Sequence, residues 1–241
     1  MVSLLRFNYV EKLYIITDVD ELSYTVPECV KILNLKDQKF ISKDSPNYHF
    51  FASYITLLRT SFCRIFDEDK IINLDADTII DDNIQPLWDL DLEDNYLAMA
   101  WEANVHKYFP DKTYPFKDTY NIGVNVMNLK KIREDNIDEK WRWLVNNIDL
   151  PCAEQDSAIL LFQDKVKVIN PLYNACTQTL TETELIRSPV IIHFAGDGSD
   201  CYKDSLDVNN KFMKVYMDYY KLYVEKYTGL KFVDSIPVLE S

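Results

Sequence analysis

Ile71-Ile72-Asn73-Leu74-Asp75-Ala76-Asp77-Thr78-Ile79-Ile80 reads as an apolar strand interrupted by two carboxylates. Its isoleucines suit a pleated, buried element. Residues two apart on an extended segment point to one side, so Asp75 and Asp77 are predicted to project together from the carboxyl end of a strand. Open α/β sheets bind ligands at that edge. Three other acidic triplets occur, Asp18-Val19-Asp20, Asp67-Glu68-Asp69 and Asp89-Leu90-Asp91. Only the 75/77 pair directly follows a buried-type strand, and the others read as solvated acidic turns.

Two carboxylates at a partly buried edge repel each other and favour proton uptake unless a cation sits between them. A hard divalent ion answers that, and it would neutralise a diphosphate ligand in a protein of formal charge −13. The same charge argues against a nucleic-acid footprint, which needs clustered Lys and Arg. His193 ends the apolar run Val190-Ile191-Ile192 and precedes Phe194-Ala195-Gly196. By itself it is either a structural histidine or a third ligand. As a ligand it would tilt the site from Mg²⁺ towards Mn²⁺, which accepts nitrogen more readily.

Further out, Leu13–Thr17, Val30–Leu35, Tyr96–Trp101, Gly123–Asn128 and Val190–Phe194 read as strands. Apolar residues at helical spacing predict helices over Tyr48–Phe66, Ile137–Asn146, Gln155–Phe162 and Lys211–Tyr227. The alternation predicts an α/β fold, and 241 residues with no evident linker predict one domain over 1–241, with a helical carboxy-terminal segment at about 205–241. Only four glycines are present, so neither a P-loop nor a dinucleotide fingerprint can be assembled. Five scattered cysteines without a Cys-x-x-Cys pair read as reduced thiols of a cytoplasmic protein. No uncharged apolar stretch reaches spanning length.

Four segments, in order, resemble glycosyltransferase family 8, the retaining group that includes glycogenin and bacterial lipopolysaccharide galactosyltransferases. Leu74-Asp75-Ala76-Asp77-Thr78 resembles its metal motif, and Tyr120-Asn121-Ile122-Gly123-Val124-Asn125 its Asn-x-Gly-Val segment. Glu154-Gln155-Asp156 resembles its Asp-Gln-Asp, and His193-Phe194-Ala195-Gly196 its His-Phe-x-Gly. The resemblance implies a GT-A type, Rossmann-like domain with a mixed, mostly parallel central sheet. It implies Mn²⁺, with Mg²⁺ as the alternative, on Asp75, Asp77 and His193, and a UDP-sugar donor contacted by Arg59, Ala76 and Gly196. Asn121, Gln155 and Asp156 would surround the transferred sugar, with Gln155 near the anomeric carbon.

Two departures from the family stand out. Met1–Leu5 resembles the end of the family's first helix, so the usual first strand of the base pocket is missing unless Tyr14–Asp20 takes its role. Where the family carries a diphosphate-binding lysine this chain has Ser199, and Lys203 is the nearby replacement. The acceptor, whether glycan, protein or lipid, leaves no mark in the sequence. The aromatic, lysine-studded stretch Phe212–Tyr223 would suit either packing on the domain or peripheral membrane contact. Two other readings remain at this point: a nucleotide-sugar or glycan-binding protein with weak or no transfer, and a metal-dependent nucleotidyl- or phosphotransferase.

Overall fold

The computed structural model describes residues 1–20, 26–48, 53–102, 119–176 and 189–195. Among them, the chain runs α1 (Val2–Phe7), β1 (Leu13–Thr17), β2 (Val30–Asn34), α2 (Tyr54–Leu57), α3 (Phe62–Ile65), β3 (Lys70–Leu74), β4 (Thr78–Ile80) and α4 (Gln85–Trp88). It continues β5 (Leu97–Trp101), β6 (Tyr120–Asn128), α5 (Leu129–Glu134), α6 (Ile137–Asn147), α7 (Ala153–Phe162), β7 (Val166–Ile169), β8 (Ala175–Cys176) and β9 (Ile191–His193). A 3₁₀ turn, Leu58–Ser61, joins α2 to α3.

The helix expected from Tyr48 starts instead at Tyr54. Ser53 caps it by accepting a hydrogen bond from the Ile55 amide at 3.3 Å, as a short polar side chain does at a helix start. The predicted helix Lys211–Tyr227 lies outside the described residues.

β3, β6, β5 and β7 form a four-stranded sheet in that order; β4, β9 and β8 form a second, and β1 with β2 a third. The single strand read through Ile71–Ile80 is therefore two strands of different sheets, separated by a turn at Asp75–Asp77. The fold is α/β with a mixed sheet, as the resemblance implies. Its described ladders divide evenly between parallel and antiparallel, because β6 runs antiparallel to both neighbours.

Strict alternation along β5 builds the core on both faces of the large sheet. Leu97 and Met99 face the helical layer with Leu57, Leu58, Phe62, Trp141 and Phe162. Ala98 and Ala100 face Val124, Val126, Ile80 and Ile191 on the other side, where small residues let the second sheet approach. Trp141 packs edge-on to Phe162 with centroids 4.9 Å apart, and its indole N–H donates to Ser157 Oγ at 2.9 Å, so its polar handle is satisfied inside the core. Full burial of each such side chain contributes about 1.5–3 kcal/mol. None of the four described cysteines is in a disulfide. Among the described residues no helix is long and apolar enough to cross a membrane.

Candidate metal and donor site

Asp75 ends β3 by donating its amide to Gly123 O at 2.7 Å, and the chain then leaves the large sheet. The Thr78 hydroxyl closes the turn on Asp75 O at 2.7 Å, and β4 begins in the second sheet. The two carboxylates are therefore brought together by a turn, and not by the extended geometry expected. Ala76 sits exposed at its tip. From β9, paired to β4 with His193 opposite Thr78, the imidazole reaches into the same place. His193 Nε2 lies 3.3 Å from Asp77 Oδ1 and 3.8 Å from Asp75 Oδ2. One ligand atom from each of the three residues falls within 4.8 Å of the others.

Gly123 makes that convergence sterically feasible. A Cβ there would stand 2.8 Å from both Asp75 Oδ2 and His193 Nε2, and closer still to His193 Cε1. The glycine lies in a break of the β5–β6 register, where Met99 pairs with Asn125 but Ala100 with Asn121. Such bulges re-aim side chains beside functional sites. Here the looped-out backbone is held by the protein itself. Ile122 O accepts from Arg59 at 2.9 Å and from Asn125 Nδ2 at 2.7 Å, Ile122 N donates to Gln155 Oε1 at 3.1 Å, and Gly123 N donates to Asn121 Oδ1 at 2.9 Å.

Sequence reasoning missed Asn174, which fixes the histidine. Its Nδ2 donates to Asn121 O at 3.1 Å and Asn121 Oδ1 at 2.9 Å, so its own oxygen must face His193 Nδ1, 2.8 Å away. Because that oxygen only accepts, the hydrogen-bond network assigns the proton to Nδ1 and directs Nε2 at the two aspartates. No motif marks Asn174 in Pro171-Leu172-Tyr173-Asn174; only its place before β8, the parallel neighbour of β9, reveals it.

Arg59 is 3% exposed, and its guanidinium meets Thr56 O at 3.0 Å, Ile122 O at 2.9 Å and Asp75 Oδ1 at 2.7 Å. Glu154 Oε1 lies 3.7 Å from its Nε. Burial alone would lower the Arg59 pKa, but the Asp75 and Glu154 carboxylates raise it instead. Burial pushes the Glu154 and Glu102 carboxyls up. Glu102, also missed from sequence, is buried with Asn121 Nδ2 at 3.4 Å. Burial is the largest single influence on His193 and would lower it, but Asp77 and Cys176 together outweigh it and hold it well above the ordinary histidine value; Asp77 is depressed in return, against its own desolvation.

Gln155 and Asp156 are buried at the start of α7, and Asp156 Oδ2 accepts the Cys152 amide at 2.8 Å, as a helix cap would. Ala153, the first residue of α7, holds a left-handed φ of 36°. Gly196, Ser199 and Lys203 lie outside the described residues.

The profile of glycosyl transferase family 8 matches residues 7–198. The chain belongs to glycosyltransferase family 8. Among members and neighbours, General stress protein A of Bacillus subtilis is 22% identical over 184 residues, covering 66% of this chain and 64% of that protein. Glycosyltransferase GlyE of Streptococcus pneumoniae is 28% identical over 158 residues, 59% of this chain and 36% of its own length. This family 8 chain thus spans only part of each of these curated relatives. The GlyE crystal structure superposes with a TM-score of 0.63 at 19% identity, covering 98% of this chain and 61% of that one. The galactosyltransferase LgtC, crystallised with donor and acceptor sugar analogues, gives 0.57 at 19% identity, covering 88% and 78%. Both likenesses establish the GT-A fold for this family 8 chain.

Proposed function

We propose that this family 8 glycosyltransferase is metal-dependent and retaining, and transfers a hexose from a UDP-sugar to an acceptor. The observation that carries the reading is the convergence of Asp75, Asp77 and His193 over Gly123, a cradle that a single methyl group would fill. Two hard oxygens and one imidazole nitrogen suit Mn²⁺, with Mg²⁺ the weaker fit. Bound there, the ion would screen the donor diphosphate and stabilise the negative charge that grows on it as the sugar departs.

The chain's own residues have distinct tasks in this reading. Asn174 keeps the lone pair of His193 Nε2 directed inward. Arg59, enclosed by protein groups, reaches the donor through Asp75, which it orients, and not by direct contact as the resemblance implied. The exposed backbone at Ala76 borders the diphosphate. Asn121, Gln155 and Asp156 would hold the sugar, and Gly196 and Lys203, outside the described residues, are assigned to the phosphates on the resemblance alone. The bond from the anomeric carbon to the diphosphate oxygen breaks, and one from the acceptor oxygen forms on the same face. The acceptor's proton passes to the leaving phosphate oxygen. Gln155 is an amide and a poor nucleophile, which favours departure and attack on one face over a covalent sugar-enzyme species.

A nucleotide-sugar screen with Mn²⁺, reading released nucleotide and transferred mass, tests the reading. UDP-sugar cleavage should require the metal and fall steeply in Asp75→Asn and Asp77→Asn, but not in Asp18→Asn, Asp67→Asn or Asp89→Asn. Cleavage that survives chelation sinks the metal assignment. Metal-dependent UDP binding without turnover on any donor favours a sugar-binding protein, and cleavage within the diphosphate a nucleotidyl- or phosphotransferase.

A further inference from the structure

Trp101 closes β5 with 49% of its surface exposed, although the four residues before it are all buried. An indole left half in water forgoes apolar burial at roughly 25 cal/mol per Å². Alternation sets its direction: it stands on the face of Leu97 and Met99, towards the helical layer. Its register partner is Tyr120, so the two side chains share that face. The same layer contains α7, whose Gln155 accepts from Ile122 N, two residues beyond Tyr120.

Its position along the sheet edge is equally informative. Asp75 ends β3, Asn121 and Gly123 lie on β6, and Trp101 ends β5, in the order β3-β6-β5. Two strand spacings separate the metal-side strand from Trp101, roughly 10 Å. In the transferase reading a hexose on a diphosphate held at Asp75, Asp77 and His193 lies over Asn121, on the intervening strand β6. The next one, at Trp101, falls to whatever receives the hexose.

We propose that Trp101 is an acceptor-binding residue whose indole forms the platform on which a pyranose ring of a saccharide acceptor stacks. The inference rests on the transferase reading above and names the acceptor class for it. A pyranose offers one face of weakly positive C–H groups to the negative face of an indole and keeps its hydroxyls at the edge, in water. An acyl chain would need a continuous apolar surface. Among the described residues, the exposed Trp88, Trp143 and Leu160 sit on α4, α6 and the far end of α7, and Val168, exposed on β7 beside β5, adds only one small aliphatic side chain near the Trp101 platform.

The test uses the full chain saturated with UDP and Mn²⁺, titrated with free lactose, cellobiose and maltose while tryptophan fluorescence is read. The chain has four tryptophans, so Trp101→Phe identifies the reporting one. At least one disaccharide should change the fluorescence of the wild type and leave Trp101→Phe silent. In Trp101→Ala, kcat/KM for transfer to that saccharide should fall roughly tenfold, while hydrolysis of the donor by water and the melting shift with UDP and Mn²⁺ stay within about twofold. A saccharide response that Trp101→Phe retains overturns the assignment. So does the absence of any response in a wild type that binds UDP and Mn²⁺, or an equal fall in transfer and hydrolysis. If UDP and Mn²⁺ fail to bind at all, the transferase reading falls first and this assignment with it.

Discussion

Replacing Gly123 by alanine should abolish metal binding while leaving a folded protein. The new methyl would stand 2.8 Å from the ligand atoms of both Asp75 and His193, where ordinary van der Waals contact begins at 3.4 Å. Each ligand atom must therefore retreat by about 0.6 Å, three times the roughly 0.2 Å tolerance of a metal–ligand distance. Neither can retreat freely. Asp75 is held by Arg59 and by its own amide on Gly123 O, and His193 by Asn174 and its place in β9. Backbone strain is not the cause, because Gly123 does not adopt the left-handed φ that disfavours a side chain. Mn²⁺ affinity should drop at least about a hundredfold, beyond what loss of a supporting hydrogen bond achieves, and overpacking should cost roughly 1–3 kcal/mol of stability. Val124→Ala is the matched control: it removes volume next door from a buried core cluster that contains none of the three ligand residues, and destabilises by about 1–3 kcal/mol. Isothermal titration with Mn²⁺ beside urea unfolding separates the two effects. If Gly123→Ala binds Mn²⁺ within about threefold of wild type, the three residues do not form the metal site as assembled here.

Asn174→Ala should weaken Mn²⁺ binding by about 10- to 100-fold with little loss of fold, because His193 loses the partner that fixes its tautomer; unchanged affinity would show that the ring orients itself. Arg59→Leu should lower unfolding free energy by about 3 kcal/mol in urea titrations, since it strands the buried Glu154 and frees Asp75, and a loss below about 1 kcal/mol would contradict the bridging role. The pH dependence follows from His193, whose folded pKa is raised. Without metal, its charged form contributes stability that is complete below the unfolded value and is lost as pH rises through the folded one. Mn²⁺ competes with the Nε2 proton, so its affinity should climb about tenfold per pH unit up to that folded value, with proton release measurable by calorimetry in buffers of different ionisation enthalpy. A flat profile from about pH 6 to about pH 8 without proton release would refute the coupling.

The sequence made the ends of strands legible and the paths between them obscure. Asp75, Asp77 and His193 stood out because charged residues directly after apolar runs are conspicuous, and the structure brings all three together. The same apolar run misled on topology: Ile71–Ile80 alternates no differently where the chain changes sheets, so the turn closed by Thr78 left no periodic trace. The bulge around Gly123 was invisible for a similar reason, since Ile122, Val124 and Val126 alternate through it without a break and the register shift is seen only against β5, not against β3. Asn174 and Glu102 are single polar residues whose meaning lies in neighbours 19 residues away, at His193 and Asn121. Arg59 was found by resemblance, but its enclosure by Thr56, Ile122 and Asp75 depended on tertiary packing.

The net charge of −13 and the choice of ligands fit together once protons are counted. Without metal, Asp75 faces the Arg59 guanidinium, which Glu154 also approaches at 3.7 Å, and Asp77 faces a His193 whose pKa is raised, so the carboxylates offset the local positive charge and leave no surplus. A diphosphate arriving then would meet no net attraction locally and repulsion from the rest of the chain. A divalent ion bound there would displace the His193 proton and add two charges, a net gain of one positive charge for this patch of an acidic protein. In the proposed reading the donor's phosphates would gain a partner only then, which favours metal before donor, with reciprocal coupling between the two. A third aspartate in place of His193 would leave the loaded site one positive charge poorer, and a diphosphate would have less attraction there to set against the field of the whole molecule.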